Sequence, residues 1–209
     1  MIRIQHYRYL GSKDRERLRQ IYEESFPVDE RFDFSILVRC DKETNVHLSG
    51  ILLDDLLVGM QFTVVLPNDA TYLMYFAIDE TYRNLGIGSN ALQKLAITND
   101  NVLLSIEKPV DEITMRRRYF YLRNGLFETK TFYEDTGVQY QVLTSCFGYE
   151  PDAMELISRY KCMTSSKRIW RLIKIHLIQN HYFMFNLKIG GNFYGKSNQT
   201  VSWGFFLFE

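Results

Sequence analysis

The clearest hydrophobic pattern lies between residues 72 and 106, where three elements follow one another. Tyr72 to Ile78 is an apolar run, too short for a helix and rich in aromatic side chains, which predicts a buried strand. After Gly88, apolar residues recur on one helical face at positions 91, 92, 95 and 96. A second apolar run, Val102 to Ile106, completes a predicted β-α-β unit.

The segments around this unit predict an antiparallel meander before it and a hairpin after it. Ser12 is the expected N-cap of a helix over residues 13–26, which ends because Pro27 disfavours helical geometry in the residue before it. The other predicted elements are a strand over residues 1–7, a short helix near Phe34 to Cys40, strands at Val46 to Leu53 and Leu57 to Leu66, a turn at Glu134 to Gly137 followed by a strand at Val138 to Leu143, and a helix that begins at Pro151.

Composition and charge narrow the class of protein. The 209 residues carry no net formal charge at pH 7 and are 46% hydrophobic, which fits one α/β domain with enough length for a core. No apolar run reaches the roughly 18 residues of a membrane span, and the N-terminus has no signal-peptide pattern, so we expect a cytoplasmic protein. Three cysteines and four histidines show no ligand spacing, so we expect no metal site.

The composition changes near residue 166. Residues 166–209 contain six Lys and Arg residues, a single acid and many aromatic side chains. Such a composition occurs in segments that contact nucleic acid or membrane surfaces, but this one has no repeat and no RNA-binding signature. We therefore predict a domain over residues 1–165 and a C-terminal extension over 166–209 that either packs against the domain or dimerises. In the second case the protein would be a homodimer. A tail appended by an accident of reading frame is a further interpretation.

Two glycines, Gly86 and Gly88, open the predicted helix. Glycine lets backbone N–H groups approach a ligand without a Cβ, and a helix N-terminus favours an anion, so we predict a phosphate or pyrophosphate site. A dinucleotide site is one interpretation, because Gly86 to Ala91 fits G-x-G-x-x-A and Glu107 follows Gly86 by 21 residues. Against it, seven residues separate the strand from Gly86, and too few parallel strands remain for a doubly wound sheet.

A second motif in the same stretch is more specific. Arg83-Asn84-Leu85-Gly86-Ile87-Gly88 resembles Q/R-x-x-G-x-G/A, the acyl-CoA-binding motif of the GNAT superfamily of N-acetyltransferases. A later segment, Arg116 to Phe127, carries Tyr121 four residues before Gly125, which is similar to the tyrosine-bearing helix of that family. The resemblance covers about residues 1–145.

The resemblance implies a GNAT-like fold and acetyl-CoA as the acyl donor. That fold has a mixed, mostly antiparallel central sheet with a splayed pair of parallel strands and flanking helices. The glycine loop would hold the pyrophosphate, with added charge from Arg83, and the preceding strand would pair with the pantetheine arm and polarise the thioester carbonyl. Asn84 stands where many relatives have glycine, and Thr114 where the family often has asparagine. The implied cofactor-binding residues are Phe76, Ala77, Ile78, Arg83, Asn84, Leu85, Gly86, Ile87, Gly88 and Ser89.

The residues also suggest an acid and a base. Tyr121 is the candidate general acid, because a phenol with an ordinary pKa near 10 stays protonated at neutral pH and can protonate a leaving thiolate. Glu107, at the end of the second parallel strand, is the candidate base, acting directly or through a water molecule. Glu30 and Asp79 are alternatives for this role.

The turn Phe-Pro-x-x-Glu-Arg at residues 26–31 is similar to one common in bacterial members of the family, where it lines the acceptor side. Glu30 and Arg31 are therefore the implied substrate-binding residues.

We interpret the chain as an N-acetyltransferase that transfers the acetyl group of acetyl-CoA to a primary amine, in a small molecule or a peptide, by direct attack in a ternary complex. No cysteine or serine nucleophile motif supports a covalent intermediate. The alternative is a non-catalytic acyl-CoA-binding or scaffold protein that keeps the fold.

Overall fold

Strands separated by short turns form a seven-stranded sheet with helices on both of its faces. The computed structural model describes residues 1–28, 30–135, 138–152 and 155–156. The helices are α1 (Ser12–Ser25), α2 (Phe34–Cys40), α3 (Ile87–Thr98) and α4 (Glu112–Arg123), with single 3-10 turns at Tyr7–Tyr9 and Glu80–Tyr82. The strands are β1 (Ile2–His6), β2 (Val46–Leu53), β3 (Leu56–Val65), β4 (Thr71–Ile78), β5 (Val102–Glu107), β6 (Phe127–Asp135) and β7 (Val138–Thr144).

The strand order is β1-β2-β3-β4-β5-β7-β6. Strands β1 to β4 form an antiparallel meander, and β7 pairs antiparallel with both β5 and β6. β4 and β5 are the parallel pair, and α3 is the crossover between them. This confirms the predicted α/β sheet, mixed and mostly antiparallel, and it places the connection that contains the glycine motif at the middle of the sheet.

Each face of the sheet is covered by one pair of helices. On the first face, α1 contributes the buried stripe Leu18, Ile21 and Tyr22, which packs with Leu37 of α2 against the meander. On the second face, α3 packs through Leu92 and neighbouring apolar residues against β4, β5 and β7. Because burying one such side chain stabilises the fold by about 1.5–3 kcal/mol, the apolar stripe of each helix determines which of its faces meets the sheet.

Helix α1 begins at Ser12 rather than after it. Gly11 is the N-cap, and its carbonyl accepts a hydrogen bond from the N–H of Arg15 at 2.9 Å. The predicted N-cap role of Ser12 is therefore wrong, because the first helical hydrogen bond forms one residue earlier than the apolar pattern indicates. The helix ends at Ser25, and the extended backbone of Phe26 follows, as the proline after it requires.

Several predictions lie outside the described residues. These are the extension over 166–209, the part of the turn at Thr136-Gly137, and most of the helix predicted after Pro151. In the described piece of that helix, the Asp152 carboxylate accepts a hydrogen bond from the N–H of Glu155 at 2.7 Å, as an N-cap residue does. None of the helices in the described ranges is long and apolar enough to cross a bilayer.

Candidate active site

A cleft opens where the parallel strands β4 and β5 separate. β4 continues to Ile78 and β5 to Glu107, but their pairing stops at Tyr72 and Leu103. The cleft has a volume of about 1340 Å³. At its closed end, the hydroxyl oxygens of Tyr72 and Ser105 lie 2.6 Å apart. The splayed strand pair that the family resemblance implied is therefore present.

A β-bulge turns β4 at the edge of this cleft. Phe62 of β3 pairs with Tyr75, whereas Thr63 pairs with Leu73, so Met74 has no partner on β3. A bulge of this kind bends a strand and increases its local twist. After its first two residues, β4 pairs with no described residue of β5, so this edge of β4 is open to the backbone-like groups of a ligand.

The loop between β4 and α3 presents a helix N-terminus to the cleft. Asn84 and Gly86 have φ values of 63° and 74°, in the left-handed region that asparagine and glycine adopt most easily. Gly86 is the N-cap of α3, and no described side chain caps this end of the helix. The first N–H groups of α3 are therefore available to a ligand, and together with the helix dipole they favour an anion at this end of the helix.

Gly88 faces the interior of this site. A Cβ added to Gly88 would lie 3.4 Å from the ring of Phe120 and 3.5 Å from the side chain of Ile78, which are ordinary van der Waals distances. The protein itself therefore has room for a methyl group at this position. Any requirement for glycine here would come from a ligand that approaches the backbone closely.

An ion pair anchors the start of the loop. Asp79 is buried, and its carboxylate contacts Arg17 of α1 and accepts hydrogen bonds from the N–H and hydroxyl of Thr81 at 3.0 and 2.8 Å. Burial alone would raise the pKa of Asp79, but the hydrogen bonds from Arg17 and Thr81 outweigh it and hold the pKa below its usual value. Both oxygens of the Asp79 carboxylate already have partners that hold the start of the loop. This argues against Asp79 as the alternative base.

Tyr121 lies on α4 with its ring against Phe120, at a centroid distance of 5.1 Å. It lines the cleft, and no described residue hydrogen-bonds its hydroxyl. Burial raises the pKa of Tyr121 to about 12, while the positive charge of Arg117 acts in the opposite direction. The phenol is therefore protonated at neutral pH, which is the state that a general acid requires.

Thr114 has a structural role at the start of the same helix. Its N–H donates to the Asp111 carboxylate at 2.7 Å, and its hydroxyl accepts from the N–H of Asp111 at 3.1 Å. Together they form a capping box, which satisfies backbone donors at both positions. The residue that departs from the family pattern therefore stabilises the beginning of α4, the helix that carries Tyr121.

Glu107 ends β5 and faces the cleft. One carboxylate oxygen, Oε1, lies 2.9 Å from Nη1 of Arg117 on α4. About a quarter of its side chain is exposed, so Glu107 can be reached from the cleft while it keeps this partner. No local pattern in the sequence indicates this contact between β5 and α4.

The two residues predicted to bind the acceptor have different surroundings in the structure. Glu30 lines the cleft. The guanidinium of Arg31 instead donates to the backbone carbonyls of Glu23 and Phe26, the latter at 2.6 Å, where it satisfies the C-terminal end of α1. Arg31 thus stabilises the turn that carries Glu30, and its side chain is not among the described groups that line the cleft.

The cofactor-binding residues predicted from the sequence meet in this cleft, with one exception. Leu85 is not among the residues that line it, and its side chain is 64% exposed. The predicted residues that line the cleft are Phe76, Ala77, Ile78, Arg83, Asn84, Gly86, Ile87, Gly88 and Ser89. The described residues contain no cluster of acids, histidines and cysteines arranged to hold a metal ion.

Aromatic residues that the sequence did not single out line the rest of the cleft. Phe26 and Tyr75 are 4.9 Å apart between ring centroids, and Tyr133 and Tyr140 stack at 5.2 Å. The second pair comes from facing positions of the terminal hairpin, where Tyr133 pairs with Tyr140 in the strand register. Residues on opposite strands become neighbours through that register, and strand alternation alone does not reveal which face meets a cleft.

Comparison with known proteins agrees with this geometry. Residues 15–98 match the model of the Acetyltransferase (GNAT) family. The fold is similar to that of a GNAT-family protein from Bacteroides thetaiotaomicron, with a TM-score of 0.59 and 25% identity over 76% of this chain and 94% of that one. No curated protein matches the chain in sequence.

Two proteins with lower identity share the fold. One is the ribosomal-protein-S18-alanine N-acetyltransferase of Escherichia coli, with a TM-score of 0.53 and 12% identity over 73% of this chain and 98% of that one. The other is Naa50 of Arabidopsis thaliana in complex with the bisubstrate analogue CoA-Ac-MVNAL, with a TM-score of 0.51 and 16% identity over 70% and 99% of the two chains. Residues 15–98 are therefore similar to the acetyltransferase (GNAT) family, and the chain shares the fold of these proteins.

Proposed function

We propose that this protein is an N-acetyltransferase that transfers the acetyl group of acetyl-CoA to a primary amine by direct attack in a ternary complex. One observation carries the proposal. A single cleft between the splayed strands contains an anion-binding helix N-terminus, an open strand edge, a protonated tyrosine and carboxylates. Each of these groups has a defined task in moving an acyl group from a thioester to an amine.

The first task is to hold the donor. The N–H groups at the start of α3 bind the pyrophosphate, and Arg83 adds positive charge. The pantetheine arm carries amide groups, which pair with the open edge of β4 as a neighbouring strand would. The complex of Arabidopsis Naa50 with a CoA-containing bisubstrate analogue supports an acyl-CoA in this position, since that protein shares the fold.

The second task is to move protons around the transfer. Glu107 removes a proton from the ammonium group, directly or through water, and the neutral amine attacks the carbonyl carbon of the thioester. The new C–N bond forms, the C–S bond breaks, and Tyr121 protonates the departing thiolate. A cysteine intermediate has no support in the described residues: burial raises the pKa of Cys40 to about 12, and neither Cys40 nor Cys146 lines the cleft.

The third task is to receive the amine. The aromatic rings of Phe26, Tyr75, Tyr133 and Tyr140 and the carboxylate of Glu30 surround the part of the cleft away from α3. Aromatic faces and carboxylates both stabilise a cation, which suits an ammonium group before it loses its proton. A small-molecule amine and the N-terminus of a peptide both fit this description.

A screen of primary amines with acetyl-CoA tests the proposal. We expect product with at least one amine, together with release of a stoichiometric amount of free CoA thiol. Calorimetric titration with acetyl-CoA should be run in parallel on the same protein. Binding of acetyl-CoA without turnover of any amine in a broad panel would favour the non-catalytic acyl-CoA-binding alternative, and absence of both would refute the assignment.

A further inference from the structure

Arg117 lies between the two groups that the proposed mechanism uses as base and acid. Its Nη1 atom is 2.9 Å from Oε1 of Glu107 on β5. On its other side, Tyr121 is four residues further along α4, so both side chains project from the same face of the helix, with Cβ atoms roughly 5–6 Å apart. All three side chains line the same cleft.

The charge of Arg117 acts on the Tyr121 hydroxyl. Burial raises the pKa of this phenol, and among the described residues Arg117 is the charged group that lowers it. Other charged or titratable side chains also line the cleft. They are Glu30 after α1, Tyr72 and Tyr75 on β4, Tyr82 and Arg83 before α3, Arg116, Tyr119 and Arg123 on α4, Tyr133 on β6 and Tyr140 on β7. Glu107 is the acid whose carboxylate contacts Arg117 directly.

We propose that Arg117 is a positioning residue that couples proton gain at Glu107 to proton loss at Tyr121. The inference rests on the proposed function. Before the reaction, the charge of Arg117 is compensated by the Glu107 carboxylate. Once Glu107 has accepted a proton, the same positive charge is uncompensated and stabilises a tyrosinate at position 121. The acid therefore becomes stronger at the stage when a proton is needed.

The protons and bonds balance through one turnover. Glu107 accepts a proton from the substrate ammonium, and the neutral amine forms the C–N bond as the C–S bond breaks. The thiolate takes the proton of Tyr121, and the amide nitrogen, which still carries an extra proton, returns it to the tyrosinate. Glu107 then releases its proton to solvent. In the intermediate stage, a negative charge at Tyr121 replaces the one at Glu107, so the net charge beside Arg117 is unchanged.

The titration of position 121 tests this coupling without any need for turnover. Replacing Tyr121 by 3,5-difluorotyrosine gives a more acidic phenol that titrates at accessible pH and can be followed by 19F NMR. In this background, Arg117→Gln should raise the pKa of the fluorinated phenol by roughly one unit. Glu107→Gln imitates the protonated carboxyl and should lower it, and Arg117→Lys should leave most of the effect in place.

Arg118→Gln is the matched control. Arg118 is the next residue of α4 and forms an ion pair with Glu128, at 2.7 Å, outside the cleft. Its removal should leave the phenol titration unchanged, although the helix loses an ion pair of the same type. Turnover by the unlabelled enzyme should fall roughly tenfold in Arg117→Gln and recover in part in Arg117→Lys, with little change in KM for acetyl-CoA.

The coupling is overturned if the phenol has the same pKa in Arg117→Gln as in the parent protein, or if Glu107→Gln raises this pKa instead of lowering it. The expected shifts in a protein that turns over no amine would support the coupling and refute the proposed function. Normal turnover in the parent protein, with no shift of the phenol pKa in either variant, would support the proposed function and refute the coupling. Since more than a third of the Arg117 side chain is exposed, folding should survive its replacement, and Glu107→Gln gives an independent reading.

Discussion

Replacing Gly88 should strengthen the fold and weaken cofactor binding at the same time. Gly88 is the second residue of α3, where alanine is more favourable than glycine by roughly 0.5–1 kcal/mol. The new Cβ would meet Phe120 and Ile78 at ordinary contact distances, so no clash opposes this gain. For a chain of this size, we expect Gly88→Ala to raise Tm by about 2–4 °C.

The same methyl group would also lie in the cleft at the start of α3, where we propose that the pyrophosphate binds. Displacing the phosphate from one such charge-assisted hydrogen bond costs about 1.5–3 kcal/mol. Acetyl-CoA affinity should therefore fall roughly 10- to 100-fold in Gly88→Ala. Gly88→Glu adds a like charge and should abolish binding, while circular dichroism still reports a folded protein.

Calorimetry with acetyl-CoA and thermal unfolding should be measured on the same preparations. Gly11→Ala is the matched control, because it makes the same change at the start of α1, where no atom lies within 4 Å of the added Cβ. That variant should bind acetyl-CoA as the parent protein does. Unchanged affinity in both Gly88 variants would show that the glycine does not serve a phosphate, and a lower Tm in Gly88→Ala would show that the helix start is more crowded than the distances indicate.

Three further predictions follow from the site and the chain. Tyr121→Phe keeps the ring and removes the proton donor, so turnover should fall by on the order of 10² to 10⁴ with acetyl-CoA affinity nearly unchanged; normal turnover would assign the acid elsewhere. Folding lowers the pKa of Asp79, so its carboxylate stabilises the fold at pH values above its unfolded pKa near 3.9, and this contribution is lost as the pH falls below that value. Asp79→Asn should lower the free energy of unfolding at pH 7 by about 1–3 kcal/mol. Urea unfolding at several pH values should then show a weaker loss of stability in acid than the parent protein shows. Truncation after Thr164 should retain acetyl-CoA affinity, and light scattering should detect a smaller assembly if the extension dimerises; a folded truncation that no longer binds acetyl-CoA would place the extension in the site.

The sequence alone determined the elements whose causes are local. The apolar run before the loop became β4, the short helix after Asp33 has the predicted bounds Phe34–Cys40, and the glycine motif begins α3. Asn84 adopts the left-handed backbone that its side chain tolerates, and Gly86 does the same. Strand alternation, helical periodicity and the preference for φ are properties of neighbouring residues, so a reader of the sequence can apply them without knowing the fold.

Only the tertiary structure decided which distant groups meet. Arg17 and Asp79 are 62 residues apart in the chain, and their ion pair, which holds the start of the loop before α3, has no local signal in the sequence. The pairing of β4 with β5 ends at Tyr72 and Leu103, and the separation beyond that point creates the cleft that Glu107 and Tyr121 both line. Such contacts depend on how the helices and strands pack and on which side chains become buried, and both are properties of the whole fold. For this reason the sequence predicted neither the ion pair of Arg117 with Glu107 nor the hydrogen bonds of Arg31 to the end of α1.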